Sequence, residues 1–178
     1  MRSKAGYAQV AYGYDEHGRR NLVAYLDARG NPAALPDGRS MEASLYDERG
    51  YLVEIRYLNP EGAPVNVSGL YAAVRYARDA RGNILRTEYL DAAMRPMQYG
   101  GSASVVKEYD ERNRATQISW LDEDGSAAAR PEGYAAISYE YRASGNAYRL
   151  RPVSPDETFV FEARNARPAS TPDVGGSL

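Results

Sequence analysis

Apolar and polar residues alternate with a period of two through most of the chain. In residues 135–141 the side chains of Ile137, Tyr139 and Tyr141 fall on one side of an extended backbone, and residues 8–14 show the same alternation. No stretch longer than one turn sustains a period of 3.6. The pattern therefore predicts β-strands and an all-β fold.

Short polar turns link the predicted strands in pairs. The turn Asp47-Glu48-Arg49-Gly50 has Asp at its first position and glycine where a positive φ is needed, and a second strand follows in residues 51–58. Asn113 replaces this glycine in one turn, and Asn is the residue that best tolerates the same backbone conformation. The turns predict β-hairpins of the type I turn plus bulge kind.

The second strand of each hairpin has two unlike faces. In residues 51–58, Val53, Ile55 and Tyr57 define a tyrosine face, and Glu54 and Arg56 define a charged face. We expect the tyrosine face to be buried and the charged face to be solvated. The matching strand carries its charges in the opposite order, Arg86 before Glu88, which predicts opposite charges side by side.

The sequence repeats with a period of about 32 residues. Two sets of residues recur with the same spacing. The first set is Asp15, Asp47, Asp79 and Asp110, and the second is Tyr25, Tyr57, Tyr89 and Trp120. These two sets divide residues 1–152 into a β-hairpin repeat array with units near 6–37, 38–69, 70–100, 101–132 and 133–152. We expect a capping strand in 153–165 and a mobile tail in 166–178. A one-residue deletion between Pro96 and Gly101 predicts a loop there.

Five hairpins give roughly ten strands. They can stack as an extended or curved antiparallel sheet, or wind into an open barrel-like solenoid. Periodicity does not choose between these shapes.

Composition narrows the classes of function. The 178 residues contain 22 Lys and Arg against 24 Asp and Glu, so a general nucleic-acid partner is disfavoured. No apolar window of 18 residues predicts membrane insertion, and the absence of Cys excludes disulfides and thiolate sites. These features fit the bacterial cytoplasm or export as part of a larger protein.

The residues that could perform catalysis are few. His17 is the single histidine and occupies a turn position where later units have Arg. A row of turn Asp residues could collect Ca²⁺, and Asp122 with Asp124 could act as acid and base, but an Asp that opens a turn is first explained by bonds to its own backbone. We predict no catalytic residue, no metal site and no cofactor.

Tyrosine is the unusual component, with 16 Tyr against 2 Phe. Two interpretations are open. The rings either form the core of a thin sheet, with their hydroxyls reaching water at its edge, or form a surface that binds a ligand. The second interpretation favours tyrosines at the start of each unit and on its first strand. The predicted ligand-binding residues are Tyr7, Tyr71 and Tyr134, and Tyr12, Tyr76 and Tyr139.

The segments Tyr46-Asp47-Glu48-Arg49-Gly50-Tyr51 and Asp79-Ala80-Arg81-Gly82-Asn83-Ile84 resemble the Tyr-Asp repeats of bacterial RHS-type proteins. That resemblance, which covers residues 6 to about 150, implies β-hairpin sheets of the kind that wind into shells around toxin cargo. It brings no catalytic residues. The chain departs from the family in its long period and its additional Tyr-Leu-Asp marker, and it is too short to enclose cargo.

The sequence thus predicts a repeat binding module for a protein or a glycan, with edge-to-edge self-association as a further property of an open sheet. Two alternatives stay open. One is a small β enzyme of the lyase or cyclase type with a pocket lined by Tyr and carboxylates. The other is a structural spacer without a ligand.

Overall fold

The computed structural model describes residues 6–145 and 147–155. The ten strands are β1 (Gln9–Tyr14), β2 (Arg20–Leu26), β3 (Met41–Tyr46), β4 (Leu52–Leu58), β5 (Ala73–Arg78), β6 (Ile84–Leu90), β7 (Ser104–Tyr109), β8 (Ala115–Leu121), β9 (Ala136–Tyr141) and β10 (Ala147–Val153). A short 3-10 turn spans Val67–Gly69. No helix within the described ranges is long and apolar enough to cross a membrane.

All ten strands form one antiparallel sheet in chain order. Within residues 6–145 and 147–155 the sheet is open, with β1 and β10 at its edges, which confirms an all-β fold of tandem hairpins. The predicted capping strand lies outside the described residues except for positions 153–155, where Val153 ends β10. The predicted tail, 166–178, lies wholly outside them.

Tight turns connect the two strands of each hairpin, and together they form the tight-turn end of the sheet. In the first, the Asp15 amide donates to the Arg19 carbonyl and the Gly18 amide donates to the Asp15 carbonyl, each at 2.9 Å. Gly18 has φ +74°, and Asn113 adopts φ +61° at the matching position, as its substitution for glycine predicts. The register shifts beside each of these turns, so the predicted hairpin with a bulge is confirmed.

Longer connections join one hairpin to the next and form the long-connection end. Each has a second turn and then a proline or alanine that bridges back to the strand just completed, such as Pro32 to Leu26. A third turn follows. It is one residue shorter in the third unit, where the Tyr99 amide donates to the Ser102 carbonyl, so the predicted deletion does lie in a loop.

A small residue just before the second and each later hairpin connects that hairpin to the preceding one. The Ala72 amide donates to the Leu90 carbonyl of its own hairpin, and the Ala72 carbonyl accepts from the Tyr57 amide of the preceding one. A larger side chain does not fit this closed position. The equivalent residues are Ser40, Ala72, Ala103 and Ala135, all at most 1% exposed.

The expected burial of the two faces is wrong. Val53 and Ile55, on the tyrosine face, are only half-buried, whereas on the charged face Glu54 of β4 is 2% exposed and Leu90 of β6 is 1% exposed. Glu54 is buried because Arg56 and Arg75 bind it from two sides, with Arg75 Nε 2.8 Å from Glu54 Oε2. Stacked arginine side chains shield the carboxylate while satisfying it.

Opposite charges do lie side by side, as the sequence predicts, but the charged residues of β4 and β6 are linked through Arg75 of the strand between them. Arg75 lies between Glu54 and Glu88, and Arg86 completes the chain with its Nη2 3.0 Å from Glu88 Oε1. Arg75 lies in β5 and pairs with Glu54 on one side and Glu88 on the other. Comparing equivalent strands alone could not find it.

Candidate binding site

Aromatic rings pack against one another along the long-connection end of the tyrosine face. Tyr71 is central, with its ring centroid 6.0 Å from that of Tyr57, 5.3 Å from Tyr89 and 4.8 Å from Tyr99. The rings meet edge-on or tilted, at 46–76° between planes. This geometry is favourable for aromatic contacts and gives the row a tilted rather than a flat arrangement of rings.

The contacts continue across three hairpins through an arginine. The Arg39 guanidinium carbon lies 5.9 Å from the ring centroid of Tyr25 and 5.5 Å from that of Tyr57. Arg39 thus takes the place between two hairpins that Tyr71 takes one unit later. We call the resulting set the ring row, and it consists of Tyr7, Tyr25, Arg39, Tyr57, Tyr71, Tyr89 and Tyr99.

Five members of the ring row lie outside the predicted ligand-binding residues. Tyr25, Tyr57 and Tyr89 belong to the face that the sequence assigns to the core, and Arg39 and Tyr99 are not selected at all. Arg39 lies 32 residues from both Tyr7 and Tyr71, so the repeat contains the signal that places it there. Tyr99 has no such signal, because it lies in the shortened third turn, where the repeat loses its register. Tyr99 is 37% exposed and is the most accessible large ring of the row.

Burial raises the pKa of two phenols of the ring row, Tyr57 and Tyr89. It raises the pKa of Tyr57 to about 12, with further contributions from Tyr71 and Glu42. Burial also raises the pKa of Tyr89, helped by Tyr71 and Tyr99. The charged member of the row is the Arg39 guanidinium, and Asp37 and Glu42 neutralise it at 3.1 Å and 3.4 Å.

The structure separates the six predicted tyrosines into three groups. Tyr71 lies in the middle of the ring row, and Tyr76, whose pKa burial and Tyr71 raise, lies close to it. Tyr7 ends the row against Tyr25, with their ring centroids 5.0 Å apart. Tyr12 is 53% exposed on β1, with the Arg20 guanidinium 5.5 Å from its ring.

The last two predicted tyrosines belong to the end of the array. The Tyr134 ring centroid is 5.8 Å from that of Trp120, and the Arg130 guanidinium lies 5.2 Å from the same indole. Tyr139 is half-buried in β9, opposite Leu150. This group is separate from the ring row because Ser102, a small and buried residue, occupies the position of Tyr71 between them.

A different set of tyrosines acts at the tight-turn end. Their hydroxyls donate to backbone carbonyls of the preceding hairpin, at positions beside the bulge that the strand ladder leaves without a partner. Tyr46 donates to the Arg20 carbonyl at 3.0 Å and Tyr109 to that of Ile84 at 3.2 Å. Tyr141 binds the Ala115 carbonyl in the same way, and Arg78 Nε takes the role once by donating to Leu52. Tyrosine is thus required here for its hydroxyl.

The turn carboxylates are fully engaged. Asp110 accepts from the amides of Arg112 and Arg114 through one oxygen and from the Arg114 guanidinium through the other. These bonds, first the Arg114 amide and then its guanidinium, lower the pKa of Asp110. Asp122 and Asp124 both accept from the Ser126 amide. Among the described residues, no group of three or more His, Asp or Glu side chains could hold a metal ion.

A shallow surface depression of about 410 Å³ lies at the tight-turn end. Asp110, Arg114 and Tyr141 line it, and each already makes the contacts described above. A lyase or cyclase needs a free carboxylate or phenol beside its substrate. Asp110 and Tyr141 are already engaged, and Glu111, the other carboxylate of the lining, lies exposed on the turn. We pursue the ring row as the candidate site because it joins side chains of three hairpins.

No protein-family model matches the sequence, and no curated protein is significantly similar to it. Among solved structures, the chain is similar to one described as the crystal structure of TcdB2-TccC3-TEV, with 11% identity and a TM-score of 0.42. The match covers 83% of this chain and 9% of that one. The resemblance to RHS-type repeats stays a prediction.

Proposed function

We propose that the chain is a repeat module that binds an extended protein segment along the ring row. The observation that carries the proposal is the row itself, which is an unbroken series of Tyr rings and one Arg at the surface of three hairpins. Tyr and Arg are enriched in the centres of protein interfaces, where they combine apolar area with hydrogen-bonding groups.

The orientation of the rings favours a protein over a glycan. Sugars stack on a flat platform of ring faces, and the rings of Tyr57, Tyr71, Tyr89 and Tyr99 are tilted 46–76° to one another rather than coplanar. A polypeptide can instead use ring edges and hydroxyls, and its own carbonyls can accept from the phenols.

Residue variation between units also supports a ligand at the long-connection end. The positions at the tight-turn end keep a hydrogen-bond donor in every hairpin that has a predecessor, since Tyr46, Arg78, Tyr109 and Tyr141 all donate. The central ring-row position takes Tyr, Arg or Ser in different units. This position thus changes from a phenol to a guanidinium to a small hydroxyl along the array, which suits contacts that differ from point to point along one extended ligand.

Selection from a displayed peptide library on the immobilised chain tests the proposal. The Tyr99→Ala variant serves for counter-selection, because Tyr99 is the most accessible large ring of the row. We expect enriched peptides that bind the wild-type chain and are lost on Tyr99→Ala. Peptides that bind both proteins equally, or binding confined to a parallel glycan array, would contradict the proposal.

A further inference from the structure

The two edge strands of the sheet differ in how they are protected from a further strand. β10 carries Arg149 and Arg151 and has Pro152 as its sixth residue. β1, with the sequence Gln-Val-Ala-Tyr-Gly-Tyr, has neither a charged residue nor a proline. Charged side chains and proline are the usual means by which an edge strand avoids pairing, so β1 is the unprotected edge.

Pro152 removes a bond that every preceding hairpin uses to hold the next. At this position the amides of Tyr25, Tyr57, Tyr89 and Trp120 donate to Ser40, Ala72, Ala103 and Ala135. Pro152 follows Trp120 by one period and has no amide hydrogen. β10 therefore cannot receive another strand by the contacts that the array repeats.

β1 retains the groups that pair with a neighbour. Val10 lies one period before Glu42, and Glu42 pairs with Val23 of the preceding hairpin. Val74, Val105 and Ile137 continue the series by pairing with Ile55, Thr87 and Ile118. The backbone of Val10 therefore points out of the sheet edge, and beside it Tyr12 is 53% and Tyr14 62% exposed.

We infer that β1 pairs with β1 of a second copy of this chain, antiparallel and two-fold symmetric about Val10. In that register Val10 faces its own copy, so the two residues exchange both backbone hydrogen bonds. Tyr12 then lies opposite Ala8, a small residue that leaves room for the ring. The inference is independent of the ring row, which lies at the long-connection end of the tyrosine face.

The alternative is head-to-tail pairing of β1 with β10 of another copy. In this arrangement the Tyr14 hydroxyl could donate to the Ala147 carbonyl. Ala147 lies one period after Ala115, whose carbonyl accepts from the Tyr141 hydroxyl. Head-to-tail pairing would lose the amide bond at Pro152, and it would leave free edges that continue to add copies. In the two-fold arrangement the amides of Val10 and Tyr12 both donate to the second copy, the Ala8 amide keeps its bond to the Leu26 carbonyl, and the pairing closes as a dimer.

Sedimentation equilibrium of the full chain tests the inference with a charge exchange at Val10. The wild type is expected to be a dimer, whereas Val10→Lys and Val10→Glu alone are expected to be monomers because like charges then oppose each other. An equimolar mixture of the two variants is expected to recover the dimer. That recovery also shows that both variants are folded.

Leu150→Lys, at a 63% exposed position on the opposite edge, is the matched control and is expected to leave the dimer intact. A wild type that stays monomeric up to about 0.5 mM overturns the inference, since that limit leaves less than about 4–5 kcal/mol of association free energy. Loss of the dimer in Leu150→Lys, a mixture that stays monomeric, or growth into larger species also overturns it.

Discussion

At the tight-turn end of the sheet, tyrosine hydroxyls bind backbone oxygens, whereas at the long-connection end tyrosine rings bind one another. Tyr109 illustrates the first arrangement, with its hydroxyl 3.2 Å from the Ile84 carbonyl. Tyr71 illustrates the second, with three rings within 6.0 Å. One residue type thus serves two purposes, and the part of the side chain in use distinguishes the end that joins the hairpins from the end that we propose binds a ligand.

The largest effect is expected from removing a ring at the long-connection end. Tyr71→Ala should lower the free energy of unfolding by about 2 kcal/mol, because a half-buried ring loses three aromatic contacts. Tyr71→Phe keeps the ring and should remain within a few tenths of a kcal/mol of the wild type. Urea unfolding followed by circular dichroism measures both, and equal losses would show that the hydroxyl, not the ring, is what matters there.

The hydroxyl should be decisive at the tight-turn end. Tyr109→Phe should cost about 1 kcal/mol, because the Ile84 carbonyl loses its donor. Tyr14→Phe is the matched control, since Tyr14 has the same repeat position but no preceding hairpin to bind and is 62% exposed. It should leave the unfolding midpoint unchanged. A loss in Tyr14→Phe as large as in Tyr109→Phe would contradict the assignment.

A smaller gain is expected at the long-connection end from relieving a strained turn. Met94 adopts φ +61° where the other units have Gly30, Gly62 and Gly125. Met94→Gly should stabilise the chain by about 0.5–1 kcal/mol, because glycine adopts this conformation without a steric penalty. Gly62→Ala should destabilise it by a similar amount. Thermal unfolding compares the two, and a loss of stability in Met94→Gly would mean that the side chain of Met94 contributes more than its backbone costs.

Ionisation of the Tyr57 phenol should leave the free energy of unfolding unchanged near neutral pH and lower it at alkaline pH. Its pKa of about 12 in the folded chain exceeds the ordinary value near 10, so the folded state holds this proton more tightly than the unfolded state does. Its contribution to stability is therefore complete below pH 10 and is lost as the pH rises towards 12. Urea unfolding at a series of pH values measures the decline. Tyr57→Phe should show a shallower decline, and an unchanged slope would contradict the burial of this phenol.

The hairpins could be predicted from the sequence because local chemistry determines them. Asp47 and Gly50 mark a turn within four residues, and the alternation in 51–58 marks the strand that follows. The burial of the faces could not be predicted in this way. Glu54 is buried because Arg75, 21 residues away, lies beside it in the next strand, and only the register between hairpins reveals that contact.

The candidate site was predictable in part for the same reason. Tyr71 lies two periods after Tyr7, and the sequence selects both. The contacts that link them run through Arg39, whose role depends on packing between Tyr25 and Tyr57 rather than on its residue type. Tyr99 lies where a deletion breaks the period, so no repeat-based argument reaches it.

The affinity of a peptide selected on the wild-type chain alone, without counter-selection, for two matched variants tests the central claim most directly. Tyr99 and Tyr51 are both 37% exposed, but Tyr99 belongs to the ring row and Tyr51 follows a tight turn beside Arg78. Isothermal titration calorimetry should show at least a tenfold weaker binding for Tyr99→Ala, or about 1.4 kcal/mol, and unchanged binding for Tyr51→Ala. Equal weakening in both variants, or a loss confined to Tyr51→Ala, would contradict the assignment of binding to the ring row.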